Sequence, residues 1–318
     1  MKYLITGAAG FVGFHVARKL LEEGNTVSGV DNLNDYYDLD LKRSRLEELK
    51  KFKKFIFYNQ DIAYKSLEID FENLELIIHL AAQAGVRFSL TNPRNYLHSN
   101  INGHFEILEV CRMHSIPLIY ASSSSVYGDH GQEKFSEDSI GLSQKSFYGF
   151  TKMTCERMSD FYAKNFNFSQ IGLRFFTVYG EYGRPDMAYW KFTKNILEKK
   201  KIIINGNGNQ IRDFTYISDT VSGIINAVNY IKNSSNMNQV FNLGNEDPKS
   251  INQLIDAIEK ELKIKAIRQY EGQIEGDVIR TSSDNSLARK YLKYNPQISL
   301  DYGIKKFISW YISYNKAL

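Results

Sequence analysis

Two cysteines, Cys111 and Cys155, are the only thiols in the chain, and both fall in helix-like apolar patterns. They give no disulfide framework, so a reducing compartment is expected. Long apolar runs are also missing. No stretch approaches the roughly 20 residues that a membrane span needs. Strand-like residues from Lys2 onward leave no room for a signal peptide. The expected location is cytoplasmic, without a membrane partner. Charge of one sign is scarce: 40 Lys+Arg face 36 Asp+Glu, a net +4. That excess suits a small anionic substrate and is far from a nucleic-acid-binding balance. The lysines at Lys50 to Lys54 and Lys199 to Lys201 read as solvated faces. There is no Pro/Ser linker and no internal repeat, and no metal site is expected.

What is present is a core. The chain has 318 residues, 43% of them hydrophobic, enough for a compact two-lobed unit or two closely joined domains. Lys2 to Thr6 reads as a buried strand and Phe11 to Glu23 carries helical periodicity. Thr26 to Val30 is a second strand ending at Asp31, Leu39 to Lys51 is helical, and Lys54 to Tyr58 and Leu76 to Leu80 are further strands. A long helix is predicted from about Arg94 to His114, a strand over Pro117 to Ala121, a helix over Phe147 to Lys164 and a strand near Ser169 to Phe175. Strands alternating with helices imply an α/β fold with a parallel sheet covered on both faces. Past Thr177 the rhythm loosens, yet Val240 to Leu243 looks like a strand able to rejoin the sheet. The expected division is a first domain over 1–176, with return segments near 219–243, and an interleaved, smaller C-terminal α/β lobe over 177–318.

Gly7, Gly10 and Gly13 lie between the first strand and the first helix, where a tight turn and close backbone approach suit a pyrophosphate at a helix N-terminus. Phe11 and Val12 belong to that turn. Asp31 ends the second strand, where a carboxylate accepts hydrogen bonds from ribose hydroxyls and repels a 2′-phosphate. No arginine follows in Asn32-Leu33-Asn34, so NAD is favoured over NADP. Asp61-Ile62 either holds the adenine amino group or caps a loop. Leu80, Ala81 and Ala82 give room for a cofactor, or simply tight packing. The fold expected is a Rossmann-type doubly wound sheet.

The chemistry rests on Ser122 to Ser125 and on Tyr148 with Lys152, a Y-x-x-x-K spacing. An ammonium one helical turn from a phenol favours the phenolate, which can take a hydroxyl proton from a carbinol.

Thr6-Gly-Ala-Ala-Gly-Phe-Val-Gly13, His79-Leu-Ala-Ala-Gln-Ala-Gly-Val-Arg87, Ser122-Ser-Ser-Ser-Val-Tyr-Gly128 and Tyr148-Gly-Phe-Thr-Lys152 resemble the extended short-chain dehydrogenase/reductase family. Asp31-Asn-Leu-Asn-Asp-Tyr-Tyr37, Leu173-Arg-Phe-Phe-Thr-Val-Tyr-Gly180, Gly183-Arg-Pro-Asp-Met-Ala188 and Arg212-Asp-Phe-Thr-Tyr-Ile217 are most similar to its UDP-glucuronate 4-epimerases. The likeness runs from Met1 to about Asp284. It implies an NAD-dependent, redox-neutral inversion at C4 of a UDP-sugar through a 4-keto sugar. In that reading Tyr148 takes the C4-hydroxyl proton, Lys152 also holds the nicotinamide ribose, and Ser123 hydrogen-bonds the substrate oxygen. Ser123, Ser124, Ser125 and Thr177, with Arg184 nearby, would orient the uronate carboxylate so that the β-keto acid keeps its carbon dioxide. Arg212 would grip the diphosphate and Asp277 the uridine ribose. Arg87 would meet sugar or phosphates, or serve as a salt bridge.

The same resemblance argues against sibling activities. Related dehydratases carry an Asp-Glu pair, and decarboxylases a glutamate, where this chain has Ser124-Ser125. A UDP-glucose or UDP-GlcNAc 4-epimerase remains the nearest alternative, ahead of a decarboxylase and of a non-catalytic NAD sensor. One departure is Ile279-Arg280, where the family usually has a small residue or proline. The resemblance also implies a homodimer through the two long helices.

Overall fold

The computed structural model describes residues 1–64, 67–128, 133–139, 144–233, 237–272 and 278–317. The first half alternates as expected. β1 (Lys2–Thr6), α1 (Phe11–Glu22), β2 (Thr26–Asp31), α2 (Leu39–Lys50), β3 (Phe55–Asn59) and β4 (Leu76–His79) come first. Short helices α3 (Phe88–Thr91) and α4 (Pro93–Tyr96) lead to α5 (Gly103–His114), β5 (Leu118–Ser123), α6 (Phe147–Asn165) and β6 (Gln170–Phe175). Along β1, Tyr3 and Ile5 enter one core while Leu4 enters the other, so successive residues serve opposite faces. A strand buried on both sides needs such a continuous apolar run.

The second half is woven through the first. β7 (Thr177–Tyr179), α7 (Ala188–Leu197), β8 (Lys201–Asn205), β9 (Ile211–Arg212) and β10 (Phe214–Tyr216) begin a second lobe. Then α8 (Ile217–Lys232) and β11 (Asn238–Leu243) return to the sheet. β12 (Lys249–Ser250), α9 (Ile251–Leu262), β13 (Ile267–Glu271) and α10 (Leu300–Ala317) go back to the lobe. The main sheet has seven strands in the order β11-β6-β5-β4-β1-β2-β3, and every pairing in it is parallel. The strand order reverses at β1 and β4, which opens a crevice at their carboxyl ends.

One predicted helix differs in detail. The segment expected from Arg94 to His114 contains a π-helical stretch over Leu97–Asn102 between α4 and α5. The Asn100 side chain explains the distortion. It accepts from the Gln83 amide at 2.8 Å and donates to the Gln83 carbonyl at 3.2 Å and to Thr151 Oγ1 at 3.0 Å. This ties the loop after β4 to α6, and such bulges commonly serve functional sites. Among the described residues no helix is long and apolar enough to cross a membrane.

Candidate active site

The carboxyl ends of β1, β2, β4 and β5 border a cleft that is open to solvent. Its floor is the glycine turn. Gly7 has φ +72°, and a Cβ there would lie 2.8 Å from the Ala81 nitrogen. A Cβ on Gly13 would overlap the Gly7 carbonyl, so helix and strand meet only without one. The Gly7 and Ala8 amides donate to the Val30 carbonyl at 2.7 and 3.1 Å, locking the turn to β2. α1 starts at Gly10 with no side-chain cap and no acid in its first turn. Its positive end is therefore left for an anion in the cleft.

Buried Arg45 on α2 braces this turn, a role the sequence did not reveal. It donates to the Ala9 carbonyl at 2.8 Å and the Tyr37 hydroxyl at 2.7 Å, and also to the Tyr182 and Gly183 carbonyls of the second lobe. One guanidinium thereby joins both lobes to the turn.

At the β2 end of the cleft, Asp31 accepts from the Ala9 amide at 3.1 Å and the Leu33 amide at 2.9 Å. Asn32 donates to Asp61 at 3.0 Å, and the Ala63 amide and His98 Nε2 lie 2.9 and 3.1 Å from the same carboxylate. Burial pushes the Asp61 carboxyl up, but these hydrogen bonds outweigh it and hold the group below the usual carboxylate value. Asp61 thus caps a loop and also lines the cleft beside Ile62. Lys42, 4% exposed, lines the same end and donates to the Asn34 carbonyl at 2.6 Å.

At the opposite end, Ser146 caps α6 by accepting from the Gly149 amide at 3.0 Å. Tyr148 and Lys152 sit one turn apart on that helix, and both line the cleft with Ser123. Lys152 Nζ donates to the Ala121 carbonyl at 2.9 Å. Ser123 Oγ donates to Ser125 Oγ at 3.2 Å and accepts from the Ser125 amide at 3.1 Å. The Tyr148 ring meets the edge of Tyr96 at 6.1 Å, whose hydroxyl donates to the Ala84 and Gly85 carbonyls. Leu80, Ala81 and Ala82 form the wall between the two ends. Beneath the serines, Ser122 Oγ donates to Glu156 at 2.5 Å, and Glu156 is paired with buried Arg174 at 2.8 Å.

Phe175 at the end of β6 and Phe176 after it, with Val178, Arg184 and Met187 of the second half, complete the lining of the cleft. Arg184 Nε and Nη2 donate to Asp186 at 3.0 and 2.5 Å, and the Tyr36 hydroxyl donates to Asp186 at 3.2 Å. Burial and the Asp186 charge push the Tyr36 phenol up to about 12. Ser124, Ser125, Thr177, Arg87 and Arg212 stand outside the wall of this cleft. Arg87 reaches the Asn205 amide oxygen at 2.7 Å when that amide is turned towards it. Arg212 Nη1 donates to the Ile211 carbonyl at 2.9 Å. Arg280, bridged to Ile211, donates from Nε to the Glu133 carbonyl at 3.2 Å. Asp277 lies outside the described residues. Tyr36, Arg45, Lys42 and Asp186 were not assigned from the sequence. Tyr36 and Asp186 do fall inside motifs quoted for the resemblance, which was the available signal.

An uncapped helix start over a glycine cradle, a carboxylate at the end of β2 and a cleft that reaches a Tyr/Lys pair fit NAD. The family model described as the NAD dependent epimerase/dehydratase family matches residues 3–244. A UDP-glucuronate 4-epimerase of Thermodesulfobacterium geofontis is 42% identical, over 97% of this chain and 95% of that protein. UDP-glucuronate 4-epimerase 4 of Arabidopsis thaliana is 42% identical, over 98% of this chain and 75% of that protein. The crystal structure of UDP-glucuronic acid 4-epimerase from Bacillus cereus with UDP-glucuronic acid and NAD superposes with a TM-score of 0.93. It is 34% identical, over 99% of this chain and 100% of that one.

Proposed function

This chain belongs to the NAD dependent epimerase/dehydratase family, and within it we propose that it converts UDP-glucuronate to UDP-galacturonate by inverting C4. The observation that carries the choice of sugar is Arg184, a guanidinium in the wall of the cleft that holds Tyr148 and Ser123. A uronate differs from the neutral sugars by one carboxylate, and an arginine suits that group. The T. geofontis and A. thaliana relatives bear the same activity in their names.

In this reading Gly7, Gly10, Phe11, Val12 and Gly13 hold the pyrophosphate, and Asp31 and Asn32 hold the adenosine ribose. Asp61 and Ile62 flank the adenine, and Leu80, Ala81 and Ala82 pack along the cofactor. NAD, when bound, supplies a reversible hydride acceptor, so no outside oxidant is consumed. Tyr148 Oη takes the C4-hydroxyl proton as the ketone forms and returns it as the alcohol is restored. Lys152 would hold the nicotinamide ribose, and Ser123 Oγ orients the substrate oxygen. Inversion requires the 4-keto sugar to present its opposite face to the site before the hydrogen is returned.

Ser124, Ser125 and Thr177 serve as hydroxyl donors near the carboxylate. Arg87, Arg212 and Asp277 serve the phosphates and uridine. The division into a cofactor domain over 1–176, with its return segments, and a substrate lobe over 177–318 belongs to the same proposal. So do a cytoplasmic location and a homodimer through α5 and α6, where Phe105, Met113, Phe150 and Phe161 are exposed.

A second reading, C4 inversion of UDP-glucose or UDP-GlcNAc, draws on the Asp186 carboxylate that already engages Arg184. The test incubates the protein and NAD with each UDP-sugar, without reductant, and reads the C4 configuration by proton NMR. UDP-galacturonate is expected. Epimerised neutral sugars without UDP-galacturonate would favour the second reading, and a UDP-pentose would indicate decarboxylation.

A further inference from the structure

Tyr148, the proton-transfer group of the reading above, sits in the first turn of α6, where a helix does not hold its own amides. The first amides of a helix have no carbonyl partner within it. Ser146 accepts from the Gly149 amide, one residue beyond Tyr148. The Tyr148 amide is taken by a different segment: it donates to Ser89 Oγ of α3 at 3.0 Å. Ser89 is fully buried, and its hydroxyl donates in turn to the Val86 carbonyl at 2.6 Å. One oxygen therefore receives the Tyr148 backbone and is itself aimed by its own loop.

That loop begins at the wall formed by Leu80, Ala81 and Ala82, which line the cleft. The steps that follow are fixed in turn. The Asn100 side chain bonds both backbone groups of Gln83, and the Tyr96 hydroxyl bonds the Ala84 and Gly85 carbonyls. The Ser89 amide closes on the Gly85 carbonyl at 3.3 Å. Tyr96, which anchors the middle of the loop, also meets the Tyr148 ring edge to face, at 6.1 Å and 73°. Thr151 Oγ1 donates to the Tyr148 carbonyl at 2.8 Å and accepts from Asn100 at 3.0 Å. Tyr148 is thus held at its amide, its ring and its carbonyl by groups tied to the loop after β4.

We propose that Ser89 is a positioning residue for Tyr148, pinning its backbone to the loop that carries the cofactor wall. The inference rests on Tyr148 as the proton-transfer group, and not on which UDP-sugar is inverted. Proton transfer between the phenol and the C4 hydroxyl needs a separation of hydrogen-bond length, and a misplacement of about 1 Å can cost about 10² in rate. Cofactor and sugar rest mainly on other walls of the cleft. Loosening Tyr148 should therefore slow the chemical step and leave their binding alone.

The experiment uses the full chain with NAD and the UDP-sugar that wild type inverts. It compares Ser89→Ala in two backgrounds, wild type and Tyr148→Phe. In the wild-type background kcat should fall about tenfold, with KM and NAD affinity changing by less than about twofold. On the residual activity of Tyr148→Phe the same change should cost less than about twofold, because the group being positioned is gone. A residue that only supports the fold would lower both backgrounds by equal factors. That result, an unchanged kcat, or KM and NAD affinity weakening as much as kcat falls, would overturn the role of Ser89. Tyr148→Phe leaving kcat intact would refute the proton-transfer reading, and this inference with it. If Ser89→Ala does not fold by circular dichroism, Ser89→Cys carries the test, since its thiol fills the same place and accepts more weakly. The same pattern is then expected at about two- to fivefold.

Discussion

Glu156→Ala tests how the chain holds its serine-bearing strand end in place. Arg174 is 1% exposed and Glu156 7%, and they are joined by Nε and Nη2 hydrogen bonds of 2.8 Å each. Arg174 also donates to the Tyr127 hydroxyl and the Glu137 carbonyl, both at 2.9 Å. Removing the carboxylate leaves the buried guanidinium without its hydrogen-bonded partner, which costs about 3–5 kcal/mol. Unfolding entropy near 2.1 cal/mol/K per residue, over 318 residues, amounts to about 0.7 kcal/mol/K. The melting temperature should therefore fall by about 4–8 °C, read by circular dichroism. Ser122 also loses its acceptor beside Ser123, so kcat should drop several-fold. Adding Arg174→Met removes the orphaned charge and should recover most of the stability. A shift under about 2 °C, or a double variant no more stable than Glu156→Ala, would refute the reasoning.

Tyr148→Phe should lower kcat by about 10²–10⁴ while leaving NAD affinity by titration calorimetry within twofold. Equal losses in both would mean the phenol is only structural. Gly13→Ala places a methyl against the Gly7 carbonyl, so NAD affinity should fall at least tenfold; unchanged affinity would dismiss the glycine cradle. The Asp186 carboxyl is pushed up by burial, but the charge and hydrogen bonds of Arg184, with Tyr36, outweigh this and hold it below the usual value. Its contribution to stability is therefore complete above the ordinary carboxylate range and is lost as pH falls through the depressed value. In urea unfolding, the advantage of wild type over Asp186→Asn should shrink as pH drops from about 4 towards 2. A constant gap would show that the charge is not what holds the clasp.

The sheet was legible because its strands are buried on both faces and write continuous apolar runs, as Tyr3 to Thr6 and Leu76 to His79 do. The glycine turn, Asp31 and the Tyr148/Lys152 pair were legible because each is a short-range pattern set by one turn or one helix face. Val240 to Leu243 was visible as a strand able to rejoin the sheet, whereas its place beside β6 is shown only by the fold. What stayed hidden depends on contacts between distant segments. Arg45 sits in a charged helix that looks solvated, and only the fold shows it reaching Tyr182 and Gly183. The Tyr36–Asp186 bond crosses from one lobe to the other, and no local spacing encodes it. The π-helical stretch at Leu97–Asn102 likewise depends on Asn100 meeting Gln83, a tertiary event inside an otherwise regular helical pattern.

UDP-glucuronate carrying deuterium at C4 gives the most direct test of the central claim, that the hydrogen leaving C4 is the one that returns. Incubated with the protein and NAD in ordinary water, it should yield UDP-galacturonate with the deuterium still at C4, read by proton NMR. Loss of the label to solvent during inversion would contradict the account.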